Sequence, residues 1–223
     1  MKQDKSFFVY IFIVFIFIST NQSFAKISNH DESWNFNVYL DDKYIGYHHF
    51  KLENHNEQQK LFSKAKFNVK FLFLSVYEYE HENTEIWRNQ CLKNLSSKTN
   101  SNGDKQFVKL NTNNKQIIIE TGKGKKTYNQ CIRSFAYWNP ELLKTDQVLN
   151  TQTGELFGVK LIYIGPDKTT INKQIINSDH YRLVGKSIDI NLWYSKNNKW
   201  LALKSKTENG KSIFYQLQDS VLQ

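Results

Sequence analysis

The side chains best equipped for chemistry lie close together in one stretch. Tyr77, Tyr79, His81, Glu85 and Trp87 all fall at odd positions of a single run. In an extended strand alternate residues share a face, so phenols, an imidazole, a carboxylate and an indole would all point the same way. Imidazole and carboxylate are the usual ingredients of general acid–base catalysis. Their spacing argues against a direct dyad, because four residues along a strand amount to about 13 Å. Each would need a partner from another element, with Tyr194 or Asn139 as candidates. Inside a barrel the same groups would hydrogen-bond as buried polar groups do. The face therefore admits three readings: a satisfied polar interior, a ligand contact, or an enzyme using His81. Tyr79, His81, Glu85, Trp87, Trp138 and Tyr194 form the candidate ligand-binding set. No catalytic residue is assigned.

Other chemistries find little support. His81-Glu82-x-x-Glu85 has part of a zinc-peptidase pattern but lacks the second histidine. A strand would also put His81 and Glu82 on opposite faces, so no metal is expected. His48 and His49 are neighbours whose rings would point apart, which places them at a surface or an edge. His30, His55 and His180 lie beside expected ends or loops. There is no G-x-S-x-G, no phosphate-cradling glycine loop and no dinucleotide fingerprint, and no cofactor is expected. Trp87, Trp138 and Trp193 either belong to the core or line a pocket. A pocket walled by aromatics with few polar anchors suits a lipid or another amphiphile.

The elements that would hold these groups read as antiparallel strands. Trp34, Phe36, Val38 and Leu40 alternate with polar residues, and Ile188, Ile190, Leu192 and Tyr194 do the same. Gly46 marks a bulge or a close backbone approach. Glu78, Glu80 and Glu82 occupy the outer face opposite the His81 side. Ser101-Asn102-Gly103-Asp104 is a hairpin turn. Further turns are expected at Gly165-Pro166-Asp167, Asn177-Ser178-Asp179, Ser195–Lys199 and Asn209-Gly210. About eleven strands follow, nearly all joined by hairpin-length links. The fold class is all-β, mainly antiparallel: one large curved sheet forming an open or closed barrel. Cys131–Asn150 breaks this pattern. Asn139-Pro140 opens a short helical turn, with Asn139 as cap and proline at the first helical position. The stretch is the expected helical plug between two β halves.

The front of the chain sets the expected compartment. Lys2 and Lys5 precede the apolar run Phe7–Ile18, and Ser23-Phe24-Ala25 offers a small-x-small cleavage site. Residues 1–25 read as a signal peptide, with an uncleaved anchor as the alternative. Residues 26–223 read as a single barrel-like domain, with no transmembrane segment after cleavage. The protein is expected to be periplasmic or secreted. In an oxidising compartment Cys91 and Cys131 read as a disulfide, two free thiols being the alternative. The formal charge of +9 would suit an anionic partner, but the lysines are dispersed apart from Lys123–Lys126. That cluster reads as a charged turn tip, open to a lipid or polysaccharide contact, and no nucleic acid is expected.

The chain resembles an uncharacterised family of secreted proteobacterial proteins, a domain of unknown function. The resemblance rests on Tyr77-x-Tyr79-x-His81, Glu85-x-Trp87, Cys91-Leu92, Thr99 with Asn102-Gly103, Phe135 with Trp138-Asn139-Pro140, Asn150-x-x-x-Gly154-Glu155 and Trp193-Tyr194. It implies a periplasmic location and no established activity. In topology the chain is similar to the β half-barrels of periplasmic lipoprotein carriers, a likeness of fold that carries little function. The leading expectation is a binding or carrier protein for a hydrophobic or amphipathic ligand or an envelope partner. The alternatives are an enzyme on an envelope small molecule using His81, and an adaptor that pairs through a sheet edge.

Overall fold

The computed structural model describes residues 31–71, 74–113, 116–171, 173–207 and 209–218. The expected signal peptide at 1–25 lies outside them. One fourteen-stranded antiparallel sheet accounts for the architecture. The first eight strands are β1 (Glu32–Leu40), β2 (Lys43–His55), β3 (Gln58–Phe71), β4 (Leu74–Arg88), β5 (Cys91–Ser101), β6 (Asp104–Asn113), β7 (Gln116–Thr121) and β8 (Gly124–Tyr128). After the connector come β9 (Gln147–Leu149), β10 (Leu156–Ile171), β11 (Gln174–Gly185), β12 (Ile188–Tyr194), β13 (Trp200–Lys206) and β14 (Ser212–Leu217). Each half is a meander, and the halves join where β1 pairs with β14. The strand order runs β8 to β1, then β14 to β9, with β8 and β9 at the ends. The sheet is therefore an open half-barrel.

Period-2 alternation builds the interior. Trp34, Phe36 and Val38 are buried, as are Tyr79, His81, Asn83, Glu85 and Trp87 on β4. The intervening acids face outward, where Lys64 meets Glu82 and Lys66 meets Glu80, each at 2.7 Å. Exposed pairs of this kind are screened by solvent and contribute little to stability. Gly46 sits at the bulge in the β1–β2 ladder with φ 148°, and a Cβ there would fall 1.9 Å from the Lys66 carbonyl oxygen. Close backbone approach is thus the reason for that glycine.

Two expected turns are absent. Gly165-Pro166-Asp167 lies inside β10, which pairs continuously with β11 apart from a bulge at Ile164. Proline is tolerated there because β9 covers only Leu156–Gly158, leaving the rest of β10 as an edge. Asn177-Ser178-Asp179 likewise stays in register with Lys168, Asp167 and Pro166. Asp179 accepts hydrogen bonds from Tyr163 and Lys196, so cross-strand partners satisfy a residue that reads as turn-forming. The β8 edge carries Lys125 and Lys126, charges that oppose edge-to-edge pairing.

The connector runs inside the curve. A single 3₁₀ turn covers Pro140–Leu143, and Asn139 Oδ1 accepts from the Glu141 amide at 3.0 Å, as the cap reading requires. The helical plug is no more than this one turn. Ile132, Ser134, Ala136, Leu142, Leu143, Val148 and Leu149 are all buried. Cys91 and Cys131 form a disulfide that ties the connector's start to the beginning of β5. Next to it the Leu92 amide donates to the Ile132 carbonyl at 2.9 Å.

Candidate functional site

Glu85 is 2 % exposed and accepts three hydrogen bonds. Asn83 Nδ2 donates to Oε1 at 2.7 Å, Trp87 Nε1 to Oε2 at 2.7 Å, and Ser134 Oγ to Oε2 at 3.0 Å. Two donors come from its own strand face, while the third comes from the connector, 49 residues along the chain. Burial pushes its carboxyl pKa up, and the three donors pull it back only in part. Glu85 thus serves as a strap between β4 and the plug.

His81 lies on the same face and is equally occupied. Nδ1 is 2.8 Å from Thr99 Oγ1 and Nε2 is 3.4 Å from Thr151 Oγ1. Ser97 on β5 also donates to the Thr151 carbonyl. These contacts hold the β9–β10 turn, just past the connector, against β4 and β5. His81 and Glu85 do not meet, as their spacing requires.

The other expected site residues fall into two groups. Tyr194 is fully buried and donates to the Tyr137 carbonyl at 2.8 Å, making a further strap. Trp87 and Trp138 pack edge to face with centroids 5.8 Å apart, and Tyr79 stacks on Phe67 at 5.2 Å. Trp193 donates to Asp167 and stacks on His180 at 4.7 Å, away from the interior set. Of the six candidates, His81 and Glu85 line one interior cavity together.

That cavity measures about 290 Å³ and lies between the β2–β4 wall, the β12–β14 wall and the connector. His48 and Phe50 on β2 stand opposite His81 and Asn83 on β4, with Ala65 and Ser63 of β3 between them. Ser63 lines the cavity, and its small side chain leaves room that a larger one would fill. Trp200, Tyr215 and Ile213 form the second wall, while Ser134, Phe135, Tyr137 and Thr151 form the roof. Gln152 at the rim is exposed.

His48 corrects the surface expectation for the His48-His49 pair. The two rings do point apart, but His48 turns inward, stacking on Phe50 at 4.0 Å with Nδ1 3.4 Å from the Tyr215 hydroxyl. His49 turns outward and stacks on Tyr47 at 4.4 Å. The signal was present in the alternation: His48 shares its parity with the buried Phe50 and Leu52. Asn83 was equally visible, sitting between His81 and Glu85 on one face. Tyr215, Trp200 and Thr151 had no local marker.

Burial and repulsion from nearby imidazoles hold His48 well below its ordinary pKa. Burial lowers His81 from 6.5 to about 4. Between those values the unfolded chain binds more protons than the folded one. Stability is then complete above pH 6.5 and falls as pH drops towards 4. The His81 shift corresponds to about 3 kcal/mol over that window. His48 acts in the same direction. Glu85, shifted up, becomes easier to bury as it protonates and offsets part of the loss. Urea unfolding is expected to show a midpoint that declines through this window, with a flatter profile for His81→Asn. Superimposable profiles would remove His81 as the source.

Among the described residues no cluster of three or more histidine, cysteine or acidic side chains could hold a metal ion. The fold and its interior define an open antiparallel half-barrel, strapped shut over a small polar-aromatic cavity. The chain belongs to the family described as Domain of unknown function (DUF6134), whose model matches residues 36–218. It is similar in fold to the crystal structure of a beta-barrel-like protein of domain of unknown function DUF1849 from Brucella abortus, with a TM-score of 0.59 and 8% identity. That match covers 83% of this chain and 94% of the other. No curated protein matches the sequence.

Proposed function

We propose that this protein is a periplasmic or secreted binding or carrier protein that holds a small hydrophobic or amphipathic ligand inside the half-barrel, beneath the connector. The observation that carries the reading is the interior cavity, walled by Phe50, Trp200 and Tyr215 on the apolar side and by His48, Asn83 and Ser134 on the polar side. At about 290 Å³ it sits at the small end of ligand pockets, which favours a compact molecule over a diacyl lipid. The leader-like stretch at 1–25 and the disulfide support an oxidising, exported location.

The enzyme reading has less beneath it, because both His81 nitrogens and both Glu85 oxygens already have structural partners: Thr99 and Thr151 at His81, and Asn83, Trp87 and Ser134 at Glu85. The adaptor reading draws on the uncovered edge of β10, but Pro166 interrupts that edge. Native mass spectrometry of protein purified from an envelope fraction is expected to show a retained small molecule that gentle unfolding releases. Finding the bare chain mass alone, with no stabilisation by a small-molecule extract of that fraction, would count against a carrier.

A further inference from the structure

We infer that the cavity selects an uncharged molecule bearing hydroxyl or amide groups on a ring or short apolar body. The inference rests on the carrier reading above and narrows it to a ligand class. Three observations carry it.

The first is the charge of the lining. The chain has 30 Lys and Arg residues, yet none of them lines this cavity. Glu85 is the one acidic residue in the lining, and Asn83, Trp87 and Ser134 occupy its oxygens. An anionic ligand would meet a carboxylate and no counter-charge. Removing an unpaired ion from water costs several kcal/mol, and Glu85, the one ionisable acid in the lining, already gives its oxygens to three protein donors rather than to a ligand cation.

The second is a pair of polar atoms left over. Asn83 is 6 % exposed, and its Nδ2 is committed to Glu85 while Oδ1 is buried with no partner. His48 Nε2 is buried and unpartnered as well. Both residues line the cavity, on strands β2 and β4, which stand about 10 Å apart across β3. Leaving such atoms unsatisfied is costly, at about 1–3 kcal/mol each. Oδ1 requires a donor, and Nε2 takes a donor or an acceptor according to its tautomer. A hydroxyl or amide at each end of one small molecule satisfies both.

The third observation agrees with the geometry. His48 and His81 both resist protonation, and Glu85 resists ionisation. The environment that penalises either charge on the protein's own side chains acts equally on a ligand. The faces of Phe50, Trp200 and Tyr215 then serve as stacking surface for an uncharged body.

A matched set of probes tests the class: para-hydroxyphenylacetamide, its carboxylate analogue para-hydroxyphenylacetate, and the amine tyramine. They share a phenol and differ chiefly in charge. Isothermal titration calorimetry at neutral pH is expected to give an affinity for the amide at least about tenfold above either ion. His48→Phe keeps the stacking on Phe50 but removes Nε2, and should weaken amide binding about tenfold. His48→Gln, which retains a polar end group, should recover part of the loss. An ion binding as well as the amide overturns the neutral class and leaves the carrier reading standing. No binding by any of the three at millimolar concentration overturns both. Unchanged amide affinity in His48→Phe would remove His48 as an anchor.

Discussion

Replacing Glu85 by alanine is expected to lower the unfolding free energy by about 3–5 kcal/mol, far more than its single carboxylate would contribute at a surface. The reason is the number of groups left behind. Asn83 Nδ2, Trp87 Nε1 and Ser134 Oγ all point at oxygens that the substitution removes. None can turn to water without moving, because Asn83, Trp87 and Ser134 are themselves 6 %, 1 % and 1 % exposed. Glu85→Gln should be much milder, at about 1 kcal/mol. Its carbonyl oxygen can keep Trp87 and Ser134, and Asn83 can rotate its amide to accept from the new NH₂. Urea unfolding measures both values. Hydrogen exchange adds a local signature: amides from Ser134 to Tyr137 should lose protection in Glu85→Ala before the β3–β4 ladder does. Two variants of equal stability would show that Glu85 is not the strap described above.

The same residue illustrates what could be read from the sequence. Alternation placed Tyr79, His81, Glu85 and Trp87 on one inner face, and all four are buried there. The spacing excluded a His81–Glu85 dyad: Glu85 holds the connector at Ser134, while His81 reaches Thr151 in the β9–β10 turn. Asn139-Pro140 specified its turn through a local cap, and local chemistry of this kind is legible. The misses share a different cause. Gly165-Pro166-Asp167 reads as a turn wherever strands are central, and only the sheet order reveals that β10 is an edge. His48 meets Tyr215 across 167 residues of sequence, a contact set by the β1–β14 junction that closes the two halves together. The cavity wall includes Ser63, a small inward residue on a strand that also turns Leu61 and Phe67 inward. No periodicity marks such a gap.

Removing the disulfide by Cys91→Ala with Cys131→Ala is expected to cost about 4 kcal/mol, the loop-closure value for a sequence separation of 40. The closed loop includes β5 to β8, so the bond shortens the unfolded excursions of one whole end of the sheet. It also fixes where the connector enters the interior. Other contacts hold the same place: Leu92 donates to the Ile132 carbonyl, and Arg133 reaches the Gln90, Leu142 and Lys144 carbonyls. The double variant should therefore keep its fold while losing global stability, and the far straps at Glu85, Tyr194 and Thr151 should keep the cavity roofed. Urea unfolding checks the first part. Retained affinity for para-hydroxyphenylacetamide checks the second, because a roof that depended on the disulfide would lose the probe along with the bond. Cys131 is exposed and Cys91 partly so, which leaves the bond open to a soluble reductant. Reduction of the unaltered protein should then reproduce the stability of the double variant. A loss below about 1 kcal/mol would assign the connector's entry to the Leu92 and Arg133 contacts instead.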